Sequence, residues 1–215
     1  MITKMKLSKR NEVKIHNSLY YTVNRLLQEF KGELFLAGGA MSTIFSHLPS
    51  SDYDLFYLGN DFDKFTTEKL LMSPTVMWYD RKYRKDNKVL NLTLGKNAFS
   101  KLQIIQLDNC NTPEKILDNF DMFQCMIGWD GEHMFADRIG LRAAMKKEIK
   151  IAKVEYPLIA MKRLLKYRDK GYSLSDKNMV DFLEKVHVRL LTHNLNDPNS
   201  DVQNLWKPYI GANDD

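Results

Sequence analysis

Two aspartates separated by one residue, Asp52-Tyr53-Asp54, follow the segment Leu36-Ala37-Gly38-Gly39-Ala40-Met41-Ser42 by ten residues. The apolar run 33–37 predicts a strand that stops at the glycines. A short helix follows, with Met41, Ile44, Phe45 and Leu48 on one side. Pro49-Ser50-Ser51 makes a turn, and 52–58 predicts a second strand. Side chains alternate across a strand, so Asp52 and Asp54 share one face. Carboxylates about 6–7 Å apart along a strand can hold a pair of Mg²⁺ ions roughly 3.5–4 Å apart. A glycine pair at a helix N-terminus exposes backbone N–H groups where a phosphate can bind, and Ser42, one turn in, offers a hydroxyl to the same phosphates. Each part has an ordinary reading as well, a tight turn for the glycines and a solvated strand edge for the aspartates. Their order along the chain is the restrictive feature.

Around this segment, apolar residues at helical spacing (Ile15, Leu19, Val23, Leu26, Leu27, Phe30) predict one helix over 13–30, stopped by Lys31-Gly32. A helix is expected over 63–72, strands over 75–79, 88–94 and 101–107, and a short helix from Pro113 to Phe120 with Pro at its first position. Residues 122–129 predict a last strand. From Arg138 the pattern is helical, over 139–153, 157–170 and 176–195, and the tail 196–215 is rich in Asn, Asp and Pro. The expected organisation is an N-terminal helix (1–32), a mixed core (33–137) and a small helical lobe with an irregular tail (138–215).

The chain has 215 residues, enough for one sizeable core, with 44% hydrophobic and 27% charged residues. No apolar stretch approaches the length of a membrane span, and the basic N-terminus lacks the apolar segment of a secretory signal. Two cysteines, Cys110 and Cys125, define neither a disulfide framework nor a zinc site, which suggests a reducing cytoplasm. A net charge of +5 favours a polyanionic partner mildly.

The lobe carries Lys162, Arg163, Lys166, Arg168 and Lys170, with Tyr167 and Tyr172. Helical spacing brings Lys162 and Lys166, or Arg163, Lys166 and Lys170, to one side. Cations there could meet phosphate while Tyr167 or Tyr172 stacks on a base; a solvated face over a core of Leu164 and Leu165 is the plain alternative. A second cluster, Arg81-Lys82-Tyr83-Arg84-Lys85, reads as a charged turn.

The motif Ala37-Gly38-Gly39-Ala40 … Asp52-Tyr53-Asp54-Leu55 resembles the signature of the polymerase-β-like nucleotidyltransferase superfamily. The nearest branch is that of tRNA nucleotidyltransferases and poly(A) polymerases, and the resemblance covers roughly residues 33–137. It suggests a small phage- or bacterial-type member. The implied fold is α+β, a mixed nucleotidyltransferase sheet flanked by helices and followed by the helical lobe. The implied chemistry is two-metal transfer of a nucleoside monophosphate from an NTP to an acceptor hydroxyl. By that resemblance Asp52 and Asp54 hold Mg²⁺, while Gly38, Gly39 and Ser42 contact phosphate oxygens. The charge and the branch make RNA, possibly a tRNA 3′ end, the expected acceptor. Lys162, Lys166 and Tyr167 are the expected nucleotide contacts in the lobe.

The chain departs from the pattern at two places. Met41-Ser42 stands where many members of the branch have Arg-Asp. Gln103 occupies the strand position expected to supply a third carboxylate; Asp108 lies at the end of that strand, and Asp121, at the start of the next apolar run, is the favoured candidate, with a turn residue as its alternative reading. A catalytically silent nucleotide- or RNA-binding module therefore stands beside the transferase, and a metal-dependent phosphohydrolase is a third reading.

Overall fold

The computed structural model describes residues 1–19, 21–48, 50, 52–77, 83–86, 88–93 and 101–196. Eight strands form one sheet: β1 (Ile2–Lys6), β2 (Leu34–Ala37), β3 (Asp52–Tyr57), β4 (Tyr83–Asp86), β5 (Val89–Thr93), β6 (Lys101–Ile105), β7 (Ile127–Trp129) and β8 (His133–Asp137). Their order is β1-β8-β7-β2-β3-β6-β5-β4. The β3–β6 pair is parallel, with Asp54 opposite Gln103. The remaining pairs are antiparallel, which makes this the mixed sheet expected of the fold.

Period-two alternation divides the apolar side chains between the two faces. Leu34 and Leu36 of β2, Tyr53, Leu55 and Tyr57 of β3, and Leu102 and Ile104 of β6 enter the main core. That core is completed by α1 (Lys9–Ser18), α2 (Tyr21–Glu29), α3 (Gly39–Ser46) and the continuous α4 (Phe62–Lys64) and π turn Phe65–Leu70. Phe35, Ala37 and Phe56 face the other way, against Ile116 and Leu117 of α6 (Pro113–Leu117). Asp52 and Asp54 therefore lie on the Phe56 face, as alternation requires.

Several expected elements differ. The helix expected over 13–30 is two, because Leu19 leaves α1 with extended backbone and turns its side chain into the core. Residues 75–79 were expected as a strand, but Pro74 opens a short helix, α5 (Pro74–Met77), as proline does at a first helical position; 78 and 79 lie outside the described residues. The strand expected over 122–129 begins only at Ile127, because Phe123–Cys125 forms a 3₁₀ turn whose first N–H donates to the Lys150 carbonyl at 2.9 Å. Strands β1 and β8 were not anticipated; they pair with each other at one margin of the sheet.

After β8, Asp137 caps α7 (Arg138–Lys146), its carboxylate accepting the Ile139 N–H at 2.8 Å and the Gly140 N–H at 3.4 Å. The helix expected to run to 153 stops at Lys147, which adopts the left-handed conformation (φ 54). Two longer helices follow, α8 (Pro157–Asp169) and α9 (Asp176–Asn196), and pack through Leu164, Tyr167, Tyr172 and Phe182 onto Met122 and Cys125 in a second core. The irregular tail expected at the C-terminus lies, from residue 197, outside the described residues. So does part of the Arg81–Lys85 cluster, whose backbone from Tyr83 belongs to β4.

Candidate functional site

β2 delivers the chain to Gly38, whose φ of 83° lies in the left-handed region that glycine enters without strain. A side chain there would also have no room. A Cβ on Gly38 would stand 3.1 Å from the Phe120 ring and 3.8 Å from Asp54 Oδ2. Gly38 thus lies beside one of the two carboxylates, with space for little more than its hydrogen between them. From Gly39 the chain coils into α3, with the Ser42 N–H donating to the Gly38 carbonyl at 3.1 Å. The first amides of α3 and the carboxylate pair of β3 consequently meet at one corner, where β2 ends and β3 begins.

Asp52 and Asp54 are both partly exposed. Burial, and then the negative charge of Asp52, raise the Asp54 pKa to about 6, while Lys166, Arg163 and Lys170 oppose that shift. The cations project from α8: Lys166 Nζ lies 3.7 Å from Asp52 Oδ2 and Arg163 Nη1 lies 3.0 Å from Asp121 Oδ2. Burial and the charge of Lys166 in turn depress the Lys170 pKa.

The Asp54 shift has a stability consequence. Its folded-state value, about 6, lies above the ~3.9 of an unfolded aspartate. Folding therefore takes up a proton between these values, and stability falls as the pH rises through 6. Asp54→Asn should accordingly unfold at higher urea than the parent at neutral pH, by roughly 1–2 kcal/mol after allowing for solvent at its exposed edge. Near pH 4 the two proteins should coincide. Urea titrations at the two pH values check this, and an equal gain at both would contradict it.

Other expected site residues are placed differently. Ser42 is fully buried, its hydroxyl 2.8 Å from the Tyr172 hydroxyl, so it cannot reach a phosphate in front of the turn. Tyr167 is also buried, its hydroxyl 3.0 Å from Cys125 Sγ, and offers no face to a base; Tyr172 is equally enclosed. Lys162 is exposed on α8. Asp121 is engaged by Arg163, and among the described residues no third acidic, histidine or cysteine side chain joins Asp52 and Asp54 in a metal-holding group. Asp121, expected as the third carboxylate, is thus placed against Arg163 and not grouped with Asp52 and Asp54. Gln103, beside Asp54 on β6, donates its amide N–H to Asn91 Oδ1 at 2.6 Å. Burial pushes the Cys125 thiol up to about 12, which removes it as a nucleophile.

Two features of the site were not assigned from sequence. Arg163 and Lys170 act on the carboxylates together with Lys166; their helical stripe was visible, but not what it faces. The packing of Phe120 on Gly38 had no local signal. A polar cleft of about 650 Å³, lined by Asn60, Asp61, Lys88, Gln106, Asp108 and Lys115, lies beyond the opposite end of β3 and shares no residue with this corner.

Hard oxygen donors suit Mg²⁺. Two carboxylates held together, one of them with a raised pKa, are a donor set that a divalent cation would relieve, so Asp52 and Asp54 fit such an ion.

The architecture is that of the polymerase-β-like nucleotidyltransferases. Solved CCA-adding enzymes share it. One in complex with ATP matches at a TM-score of 0.64, with 16% identity over 88% of this chain and 48% of its own. The Thermotoga maritima CCA-adding enzyme complexed with tRNA matches at 0.62, with 16% identity over 86% of this chain and 46% of its own. A tRNA nucleotidyltransferase complexed with a primer tRNA and an ATP analogue matches at 0.54. Residues 9–147 match the Gabija anti-defense 2 family, and the chain belongs to that family. The protein called Gabija anti-defense 2 from Bacillus phage SPbetaL7 is 25% identical over 170 residues, which are 76% of this chain and 40% of that protein. The chain thus spans about half, or less, of the length of these relatives. Among the described residues, no helix is long and apolar enough to cross a membrane.

Proposed function

We propose that the corner between β2 and β3 is a nucleotide site, and that the protein transfers a nucleoside monophosphate from an NTP to an acceptor hydroxyl, with RNA as the acceptor. The observation that carries this reading is the placement of the Gly38 turn beside Asp54, with Asp52 on the same strand face and Lys166 within reach of it. In this reading Asp52 and Asp54 hold Mg²⁺, which when bound neutralises charge on the triphosphate and aligns the attacking and leaving oxygens. The Gly39 amide, at the start of α3, faces phosphate oxygens, while the Gly38 N–H is taken by the Ile127 carbonyl at 3.3 Å and shapes the turn. Lys166, with Arg163 and Lys170 beside it, supplies positive charge to the triphosphate, and Asp121 keeps Arg163 in place. The acceptor hydroxyl attacks the α-phosphate and pyrophosphate leaves. The RNA acceptor is supported by the fold shared with enzymes solved with tRNA and by the net positive charge.

A second reading has its own support. With an amide, Gln103, beside Asp54 and with Asp121 tied to Arg163, no further carboxylate among the described residues joins Asp52 and Asp54 to activate the acceptor hydroxyl. A module that binds nucleotide or RNA without turnover fits that donor set. Incubation with each α-³²P-labelled NTP, Mg²⁺ and total bacterial RNA separates the two. Label in RNA supports transfer. Metal-dependent binding of NTP without label in RNA or release of pyrophosphate supports the silent module, and conversion of the labelled NTP to labelled nucleoside mono- or diphosphate with no labelled acceptor indicates hydrolysis.

A further inference from the structure

Next to the glycine turn lies a buried set of hydroxyls that joins α3 to the segment around α8. Tyr172 follows the C-terminus of α8. Its hydroxyl stands 2.8 Å from Ser42 Oγ and 2.9 Å from Ser46 Oγ. Ser42 and Ser46 are four apart and therefore on one side of α3; all three residues are buried, with 2% exposure or less. Tyr167, on α8, packs edge-on against Tyr172 with ring centroids 4.9 Å apart, and its hydroxyl meets Cys125. That hydroxyl also sits 3.4 Å from where a Cβ on Gly39 would stand.

The geometry points to a positioning role for Tyr172 and Tyr167: they set the placement of the glycine turn relative to the cations of α8. This rests on the nucleotide reading above. α3 has eight residues and no side-chain cap at its N-terminus, so its own backbone holds it weakly. Its amides can face a phosphate only as firmly as something behind them fixes the helix. Tyr167 follows Lys166 directly on α8, and Lys166 reaches Asp52. The aromatic pair thus keys α8 to α3, while the cations of α8 meet the carboxylates. Ser46 keeps a second acceptor in the Thr43 carbonyl at 3.2 Å. Loss of the Tyr172 hydroxyl leaves Ser42 only the Tyr167 hydroxyl as a side-chain partner and removes the bonds that tie α3 to the segment after α8.

Tyr172→Phe removes one oxygen and keeps the ring. Two measurements test the role, with Leu70→Ala, a core variant at the π turn remote from the glycines, as the control for general destabilisation. In the free protein, hydrogen exchange of the amides of Gly39 to Ser42 should accelerate at least about tenfold in Tyr172→Phe relative to those of β2. The Kd for a non-hydrolysable ATP analogue with Mg²⁺, by calorimetry, should rise at least about tenfold. Leu70→Ala, with an equal or larger fall in Tm, should leave that Kd within about twofold of the parent. Ser42→Ala should produce a smaller change of the same kind, and the double variant should show less than the sum. Unchanged exchange in Tyr172→Phe, or a Kd change no greater than that of Leu70→Ala, overturns the positioning role. A parent protein that binds no nucleotide overturns the nucleotide reading instead, while the exchange measurement still decides whether the tyrosine holds the turn.

Discussion

Asp52→Asn and Asp54→Asn, singly or together, should abolish nucleotidyl transfer while the chain remains folded. Each carboxylate in this reading is a metal ligand, and metal-borne charge stabilisation is worth several kcal/mol in the transition state. The loss should therefore be roughly 10³-fold or greater. Asparagine keeps the shape of the side chain and one acceptor oxygen but withdraws the charge. Both variants should bind NTP weakly with Mg²⁺ present and, with one repelling carboxylate fewer, no more weakly than the parent without it. The expectation for Asp54→Asn runs in opposite directions for activity and stability. The variant should be inactive and, at neutral pH, harder to unfold, because it no longer confines a charge beside Asp52. Label transfer and urea unfolding on the same preparation check both halves. An active Asp54→Asn would remove the metal-site assignment. An inactive variant that is also destabilised at neutral pH would leave its inactivity attributable to damage.

Gly140→Ala should be strongly destabilising. Gly140 lies in the first turn of α7, where a Cβ would stand 2.2 Å from the backbone oxygen of Phe123 and 3.1 Å from its carbonyl carbon. A flexible side chain could swing aside, but a backbone carbonyl in a 3₁₀ turn, anchored by its N–H to Lys150, cannot. The helix must therefore lift away from the turn that leads into β7. The cost should be about 3 kcal/mol or more, which corresponds to a fall of roughly 6–12 °C in Tm for a chain of this size. Thermal unfolding measures it. A melting temperature within about 2 °C of the parent would mean that α7 and the turn can separate at little cost.

The strand, glycine turn, helix and paired-aspartate strand were legible because each depends on local rules. Single acids inside an apolar run mark one face of a strand, and glycines at the end of another mark a turn no other residue can make. The shared face of Asp52 and Asp54 followed from alternation alone. What the sequence did not reveal depends on distant partners. Ser42 sits one turn into α3 and carries a hydroxyl, which suits a phosphate contact. Only Tyr172, 130 residues away, decides that the hydroxyl turns inward. Tyr167 likewise reads as a stacking residue until Cys125 meets its hydroxyl. Asp121 opens an apolar stretch that resembles a strand, and Arg163 claims its carboxylate from another helix. β1 was missed because Ile2-Thr3-Lys4-Met5-Lys6 lacks strict alternation. As a margin strand it has one neighbour, β8, and little of it needs to be apolar.

The closeness of the α8 cations to the acids of the corner has a thermodynamic consequence. Asp52, Asp54 and Asp121 are matched by Arg163, Lys166 and Lys170, so the empty corner is close to electroneutral. A divalent ion entering alone would face three fixed positive charges, and a triphosphate entering alone would face the carboxylates. Each lifts the penalty on the other. Linkage then requires that nucleotide tighten metal binding by the same factor by which metal tightens nucleotide binding. Calorimetric titration in both orders gives that factor, and equal affinities with and without the second ligand would contradict the coupling. On this account the protein responds to the metal-bound nucleotide as a single neutralised species, and its occupancy follows whichever of the two components is scarcer.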